Sequence, residues 1–268
     1  MKITSVHNRI INDCLRIKEK PGKPNDRLLI EGLRIIKSAI SANVSFLKCF
    51  YTETLLKSAE GGRLMAEIKS LLADPGNSCI EVSPSVMKKL SDTETPQGII
   101  LEVEYRKPEL KNINFKSKPL VVVCDRIQDP GNMGSIIRVS DAAGADAVFV
   151  VEGSCNPVSA KCIRATAGSI FNLPVVCAQS TDVINFLKSK NIPLYLAEAH
   201  GNNAVYKRDF TGPVALILGS EASGAGSAFK DKADFLVTIP MNDKTESLNV
   251  SMSAGICLYE VLRQRRPS

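Results

Sequence analysis

The chain has no tryptophan, and aromatic residues make up only 5% of its 268 positions. That argues against a platform of stacked aromatic side chains as its main surface for nucleobases. Histidine occurs twice, as His7 and His200, far apart and away from any serine or cysteine motif, so a hydrolase triad has no support. There is no G-x-x-x-x-G-K-[ST] segment and hence no P-loop. The eight cysteines form no C-x-x-C pair. Spread through a long chain, several in apolar runs, they read as reduced core thiols, neither a disulfide frame nor a metal site. No apolar run approaches the roughly 20 residues that span a bilayer. The first residues, Met1 to Asn8, lack the apolar core of a secretory signal. The expectation is a cytoplasmic protein, or an organellar one after removal of a targeting segment, with no membrane partner and no metal.

What remains is the composition of a globular protein, 44% apolar and 23% charged, long enough for one large or two ordinary domains. The net charge of +6 is uneven: residues 1–37 hold nine Lys/Arg against four Asp/Glu, a net of +5. A basic leading arm suits phosphate contacts, although a charge run of this size is as often a solvated helix face.

Periodicity predicts a helix over Ile10 to Lys18, a break at Lys20 to Asp26, and a second helix with Leu33, Ile36, Ala39 and Ile40 on one face. Strand-like runs follow at 46–51, 78–82 and 98–103, with helical patterns at 62–72 and 84–91. The polar stretch from Arg106 to Pro119 reads as a linker. This divides the chain into a small α/β domain over 1–106, a linker over 107–118 and a second domain over 119–268. In the second, strands are predicted near 120–124, 147–151, 174–177, 193–197, 214–218 and 235–239. Helices fit near 132–143, 158–166, 181–189 and 248–264. Alternation of this kind gives an α/β fold with a mostly parallel sheet.

Three strand ends carry the chemistry, since ligands of a parallel sheet bind outside the carboxyl ends of its strands. Val121-Val122-Val123-Cys124 ends in Asp125-Arg126-Ile127-Gln128-Asp129-Pro130-Gly131-Asn132, with Gly134 and Arg138 just beyond. Val214 to Leu218 ends in Gly219-Ser220-Glu221-Ala222-Ser223-Gly224. Phe235 to Met241 leads to Ser247-Leu248-Asn249-Val250-Ser251, the start of the last helix, which Ser247 is placed to cap. A dinucleotide-binding loop at Gly219 to Gly226 is disfavoured, because such a loop follows the first strand of its domain and this one follows the fifth.

The ordered set N-x-G-x-x-x-R, G-x-E-x-x-G and I-P-M…S-L-N-V-S closely resembles the SpoU/TrmH family of RNA ribose 2′-O-methyltransferases, of the knotted SPOUT superfamily. The resemblance covers about residues 118 to 265, and Arg164-Ala165-Thr166-Ala167-Gly168-Ser169 matches the family's connecting stretch. It implies a deep trefoil knot, S-adenosylmethionine as methyl donor without a metal, and a homodimer through the catalytic domain. The first domain resembles the ribosomal-protein-like substrate-binding domain often attached to the family, through Glu31-Gly32-Leu33-Arg34 and Thr95-Pro96-Gln97-Gly98. Ribosomal RNA is then favoured over transfer RNA by analogy.

Carried over by motif position, the resemblance implies Arg138, Asn132, Glu221 and Asn249 as catalytic residues. Gly219, Ile239 and Leu248 become donor contacts, and Arg164, Thr166 and Arg34 candidate RNA contacts. A guanidinium titrates above about 12, which favours alkoxide stabilisation or phosphate binding by Arg138 over proton abstraction. Glu221 can accept from Arg138 or from the target nucleotide. The same residues in a purely structural role would be helix caps, turn glycines and core packing. Two alternatives stay open: the same activity on transfer RNA, and a non-catalytic RNA-binding protein of the same fold.

Overall fold

The computed structural model describes residues 1–22, 27–221, 223–242 and 245–266. Lys23 to Asp26 of the predicted break, Ala222 of the glycine loop and Pro267 lie outside the described residues. The chain divides into two compact units: Met1–Lys107 with Val158–Phe171, and Pro108–Pro157 with Asn172–Ser268.

The first unit is built on five strands, β1 (Lys2–Ile3), β2 (Arg27–Glu31), β3 (Phe46–Tyr51), β4 (Cys79–Val82) and β5 (Ile99–Glu104), in the order β1-β4-β3-β5-β2. β5 runs antiparallel to both of its neighbours. Helix α1 (Arg9–Glu19) buries Ile11, Cys14 and Ile17. Helix α2 (Leu33–Ser41) buries Ile35, Ile36 and Ala39. The helical pattern expected from residue 62 begins earlier, at Ala59, because Ser58 caps it by accepting from Gly61 N at 3.0 Å. Glu102 is almost fully buried on β5, where it accepts from Arg27 at 2.6 Å and Lys48 at 2.8 Å on the two flanking strands.

Val158–Phe171, which chain order would group with the later strands, clusters with this unit. Its helix, Ala160–Thr166, ends in two residues with positive φ, Ala167 at 51° and Gly168 at 104°. A Cβ on Gly168 would stand 2.2 Å from Ser38 Cβ, so the backbone there approaches α2 as only glycine permits.

The second unit carries β6 (Leu120–Cys124), β7 (Ala147–Val151), β8 (Val175–Ala178), β9 (Leu194–Glu198), β10 (Val214–Leu218) and β11 (Phe235–Thr238). All pairings are parallel, in the order β11-β9-β10-β6-β7-β8. Each strand lies within one residue of its sequence-predicted position. Runs of Val, Ile and Leu buried on both faces are the usual signature of such a sheet. One face packs Val121, Phe149, Ile217 and Phe229 with Leu187 of the helix Ser180–Ser189. The chain leaves β6 towards β7 and β8 and later returns on the other side of β6, through β9 to β11. The order therefore reverses at the β6–β10 junction, which is where a parallel sheet opens a crevice.

Two helices frame that crevice and pack against each other, Pro130–Ala142 and Val250–Arg265. The first starts two residues earlier than expected, because Pro130 occupies its first position and Asp129 caps it, accepting from Asn132 N at 2.9 Å. Asn132 is thus inside the first turn. The last helix is capped by Asn249, whose Oδ1 accepts from Ser251 N at 2.9 Å. This corrects the expectation for Ser247, which lies two residues before the cap. No cysteine is in a disulfide and six of the eight are buried, but Cys177 on β8 is exposed rather than in the core. Among the described residues, no helix is long and apolar enough to cross a membrane.

Candidate active site

Glu221, Asn132 and Asn249 meet above the carboxyl ends of β6 and β10. Glu221 Oε1 accepts three hydrogen bonds: from Asn132 Nδ2 at 3.0 Å, Asn249 Nδ2 at 3.0 Å and the backbone N of Val250 at 3.1 Å. Asn249 Nδ2 also donates to Asn132 Oδ1 at 3.0 Å. The cluster joins residues 89 and 117 positions apart in sequence. The carboxylate is bound by two side-chain amides and a helix-start N–H, where the helix dipole favours an anion. It does not bond Arg138, contrary to one of the two options expected for it.

Arg138 is exposed, and its side chain forms no hydrogen bond or ion pair with another described residue. It lies six positions beyond Asn132, about 9 Å along the helix and roughly 240° around it. Within one chain it therefore points away from the cluster.

Beside the cluster, a cavity of about 340 Å³ opens at the ends of β9, β10 and β11. Gly219, Ile239 and Leu248 all line it, so the three expected donor contacts converge there. Val237, Val250 and Cys257 extend the apolar wall. Burial pushes the Cys257 thiol up to about 12, so it is a neutral wall group. A Cβ on Gly219 would stand 2.2 Å from Ala225 N, so the loop can fold back on itself only over a glycine.

A pair of neighbouring residues holds that loop, and motif reasoning gave neither a role. Asp125 is buried and accepts from Gly226 N, while Arg126 Nη2 donates to Gly224 O at 3.0 Å. The loop closes on itself through Ser220 N to Gly224 O at 3.1 Å and Gly224 N to Ser220 O at 2.8 Å. Arg126 adopts φ 59°, an unfavourable region for a residue with a long side chain. Its stem passes over Gly153, where a Cβ would stand 3.0 Å from Arg126 Cγ. The sequence signal was the placement of Asp125-Arg126 directly after a buried strand. Arg126→Gly relieves the backbone strain yet removes the bond to Gly224. Calorimetry with S-adenosylhomocysteine is expected to show affinity falling by about ten-fold, the scale of one charge-assisted hydrogen bond. An unchanged affinity would mean that the loop holds itself.

Residues 119–259, more than half of the chain, match the SpoU rRNA Methylase family. The chain belongs to that family. Residues 13–101 match the MRM3-like substrate binding domain. The chain is 29% identical over 262 residues to the 23S rRNA (guanosine(2553)-2′-O)-methyltransferase RlmP of Bacillus subtilis, covering 97% of this chain and 98% of that one. It is 34% identical over 193 residues to a 23S rRNA (uridine(2479)-2′-O)-methyltransferase of Streptomyces viridochromogenes, covering 69% and 67%. The AdoMet-bound crystal structure of an rRNA methyltransferase from Sinorhizobium meliloti superposes with a TM-score of 0.86 at 26% identity, over 100% of this chain and 99% of that one. The chain is by family an RNA 2′-O-methyltransferase.

The three residues considered for RNA contact behave differently. Arg34 is exposed on α2 and makes no hydrogen bond or ion pair through its side chain with another described residue. Arg164 is half-buried and lies 3.9 Å from Asp92. Thr166 is a correction: it is fully buried, donating to Ile163 O at 2.7 Å and accepting from Gly168 N at 3.3 Å. Its hydroxyl holds the turn at the end of its helix and has no surface to offer RNA. The Glu31-Gly32-Leu33-Arg34 piece is built into the fold as well. Glu31 accepts from Ser91 Oγ at 2.6 Å and Thr93 Oγ1 at 2.9 Å, and Leu33 N donates to Gln97 Oε1 at 2.9 Å.

Proposed function

We propose that the protein transfers a methyl group from S-adenosylmethionine to a ribose 2′-hydroxyl of ribosomal RNA, acting as a homodimer. The observation that carries this is the Asn132–Glu221–Asn249 cluster standing at the mouth of an apolar, glycine-edged cavity. The residues fit the donor. Ile239, Leu248 and Val237 offer apolar walls to an adenine, and the loop at Gly219 offers close backbone approach. When bound, the donor supplies an electrophilic methyl group on a sulfonium.

The chain's own residues do the rest. The two asparagines, held by Glu221, orient the ribose through their amides. Arg138 stabilises the negative charge that builds on the 2′-oxygen as its proton passes to solvent and it displaces S-adenosylhomocysteine from the methyl group, or grips the adjacent phosphate. Because Arg138 faces away from its own cluster, it serves the site of a second copy. The helix Val250–Arg265 supports that reading: Met252, Ile256 and Tyr259, at helical spacing, are 61%, 39% and 66% exposed. Such an apolar stripe calls for a partner. The deep knot implied by the family belongs to the same reading, as does the division into a substrate-binding domain over 1–106, a linker over 107–118 and a catalytic domain over 119–268.

Transfer of tritiated methyl to ribosomal and transfer RNA, followed by mapping of alkali-resistant linkages, tests the proposal. Label in transfer RNA alone, or on a base, would overturn it. The exposed basic residues of the first unit are expected to add affinity and not chemistry. Joint replacement of Arg9, Lys20 and Arg34 by Ala should reduce the slope of log affinity against log salt by about 2. An unchanged slope would show that this surface faces solvent only.

A further inference from the structure

The cavity has a second carboxylate for which the mechanism above has no role. Glu198 ends β9 and lines the cavity. Among the described residues two carboxylates line it, Glu198 and Glu221, and the latter already accepts from Asn132, Asn249 and Val250. Glu198 is half-buried, and its side chain makes no hydrogen bond or ion pair with another described residue. His200 and Lys230 also line the cavity, and neither is paired with it. A partly desolvated carboxylate is acceptor-only, and it costs free energy until donors reach it.

A sulfonium nucleoside has few groups able to satisfy it. The adenine lies best against the apolar wall. The ribose is covalently next to the adenine, and its vicinal hydroxyls present two O–H donors to the two oxygens of one carboxylate. Glu198 follows Leu196 and Ala197 on β9 and lines the cavity together with them and Val237 of the neighbouring strand β11. An acidic residue near a strand end is also how dinucleotide-binding parallel sheets hold ribose hydroxyls. We propose that Glu198 is the acceptor for the 2′,3′-diol of the donor's ribose. This rests on the reading that the cavity binds S-adenosylmethionine.

The test is calorimetry on the full chain with S-adenosylhomocysteine and its 2′,3′-dideoxy analogue, for the native protein, Glu198→Ala and Glu198→Gln. The Ala variant should bind S-adenosylhomocysteine about ten-fold or more weakly, with Gln in between, as expected for charge-assisted hydrogen bonds. The dideoxy analogue should bind all three proteins alike, since a cycle of two deletions isolates the pairwise term. Equal affinity of the native and Ala proteins for S-adenosylhomocysteine overturns the assignment. So does a loss that persists undiminished with the dideoxy analogue, which would place Glu198 against another part of the molecule. If the native protein binds neither compound, the donor-site reading itself falls, and this inference with it. Unchanged melting of the Gln variant separates lost binding from lost folding.

Discussion

Arg138→Ala is expected to lower the single-turnover methylation rate by about 10²–10³-fold, the usual consequence of removing one group that stabilises a developing oxyanion. Affinity for S-adenosylhomocysteine should stay within about two-fold of native. The reason is positional: the cavity is lined by Gly219, Ile239 and Leu248, and Arg138 is not among its walls. Little stability should be lost, because the side chain is exposed and unpaired among the described residues. Arg138→Lys should also be slow, since a point charge lacks the planar fork of the guanidinium. A near-native rate for the Ala variant would reduce Arg138 to a surface residue. Mixing Arg138→Ala with Glu221→Ala adds a second reading. If each site takes its arginine from the other copy, the mixed dimer regains one intact site, and activity should return from two inactive parents. No recovery would mean that the site is completed within one chain.

Gly255→Arg is the second large effect. Nothing lies within 4 Å of a Cβ built on Gly255, so the longer side chain fits the isolated subunit. It also stands beside Met252, Ile256 and Tyr259 on the exposed stripe of the last helix. In the proposed dimer the substitution would bury a charge in a helix–helix contact, where its desolvation outweighs the apolar contact. The variant should melt as a folded monomer in light scattering at micromolar concentration. Its activity should fall as far as that of Arg138→Ala. A variant that remains a fully active dimer would move the interface elsewhere, and an active native monomer would remove the need for one.

Three strands of the second unit are fully buried, so Leu120–Cys124, Ala147–Val151 and Val214–Leu218 are unbroken apolar runs, legible one by one. Helix starts were less legible. A pattern of apolar residues shows where a helix is amphipathic, while Asp129 and Asn249 decide where it begins. The candidate site was legible only as a set of motifs. Asn132, Glu221 and Asn249 are each an ordinary turn or cap residue, and it is the ordered motifs that single them out.

The sequence by itself determined the alternation of strands and helices, the polar strand ends and the residue types gathered there, because these follow from local periodicity and turn chemistry. The tertiary structure alone decided which of them meet. Parallel pairing of β6 with β10 brings Asp125 and Arg126 onto the loop that carries Glu221, through bonds between residues 101 and 98 positions apart. It also turned Thr166 inward and Arg138 outward, and left Glu198 in the cavity wall as a carboxylate unpaired among the described residues. Contacts of that range depend on strand order, and strand order is fixed by packing of the whole sheet, which no local run of residues records.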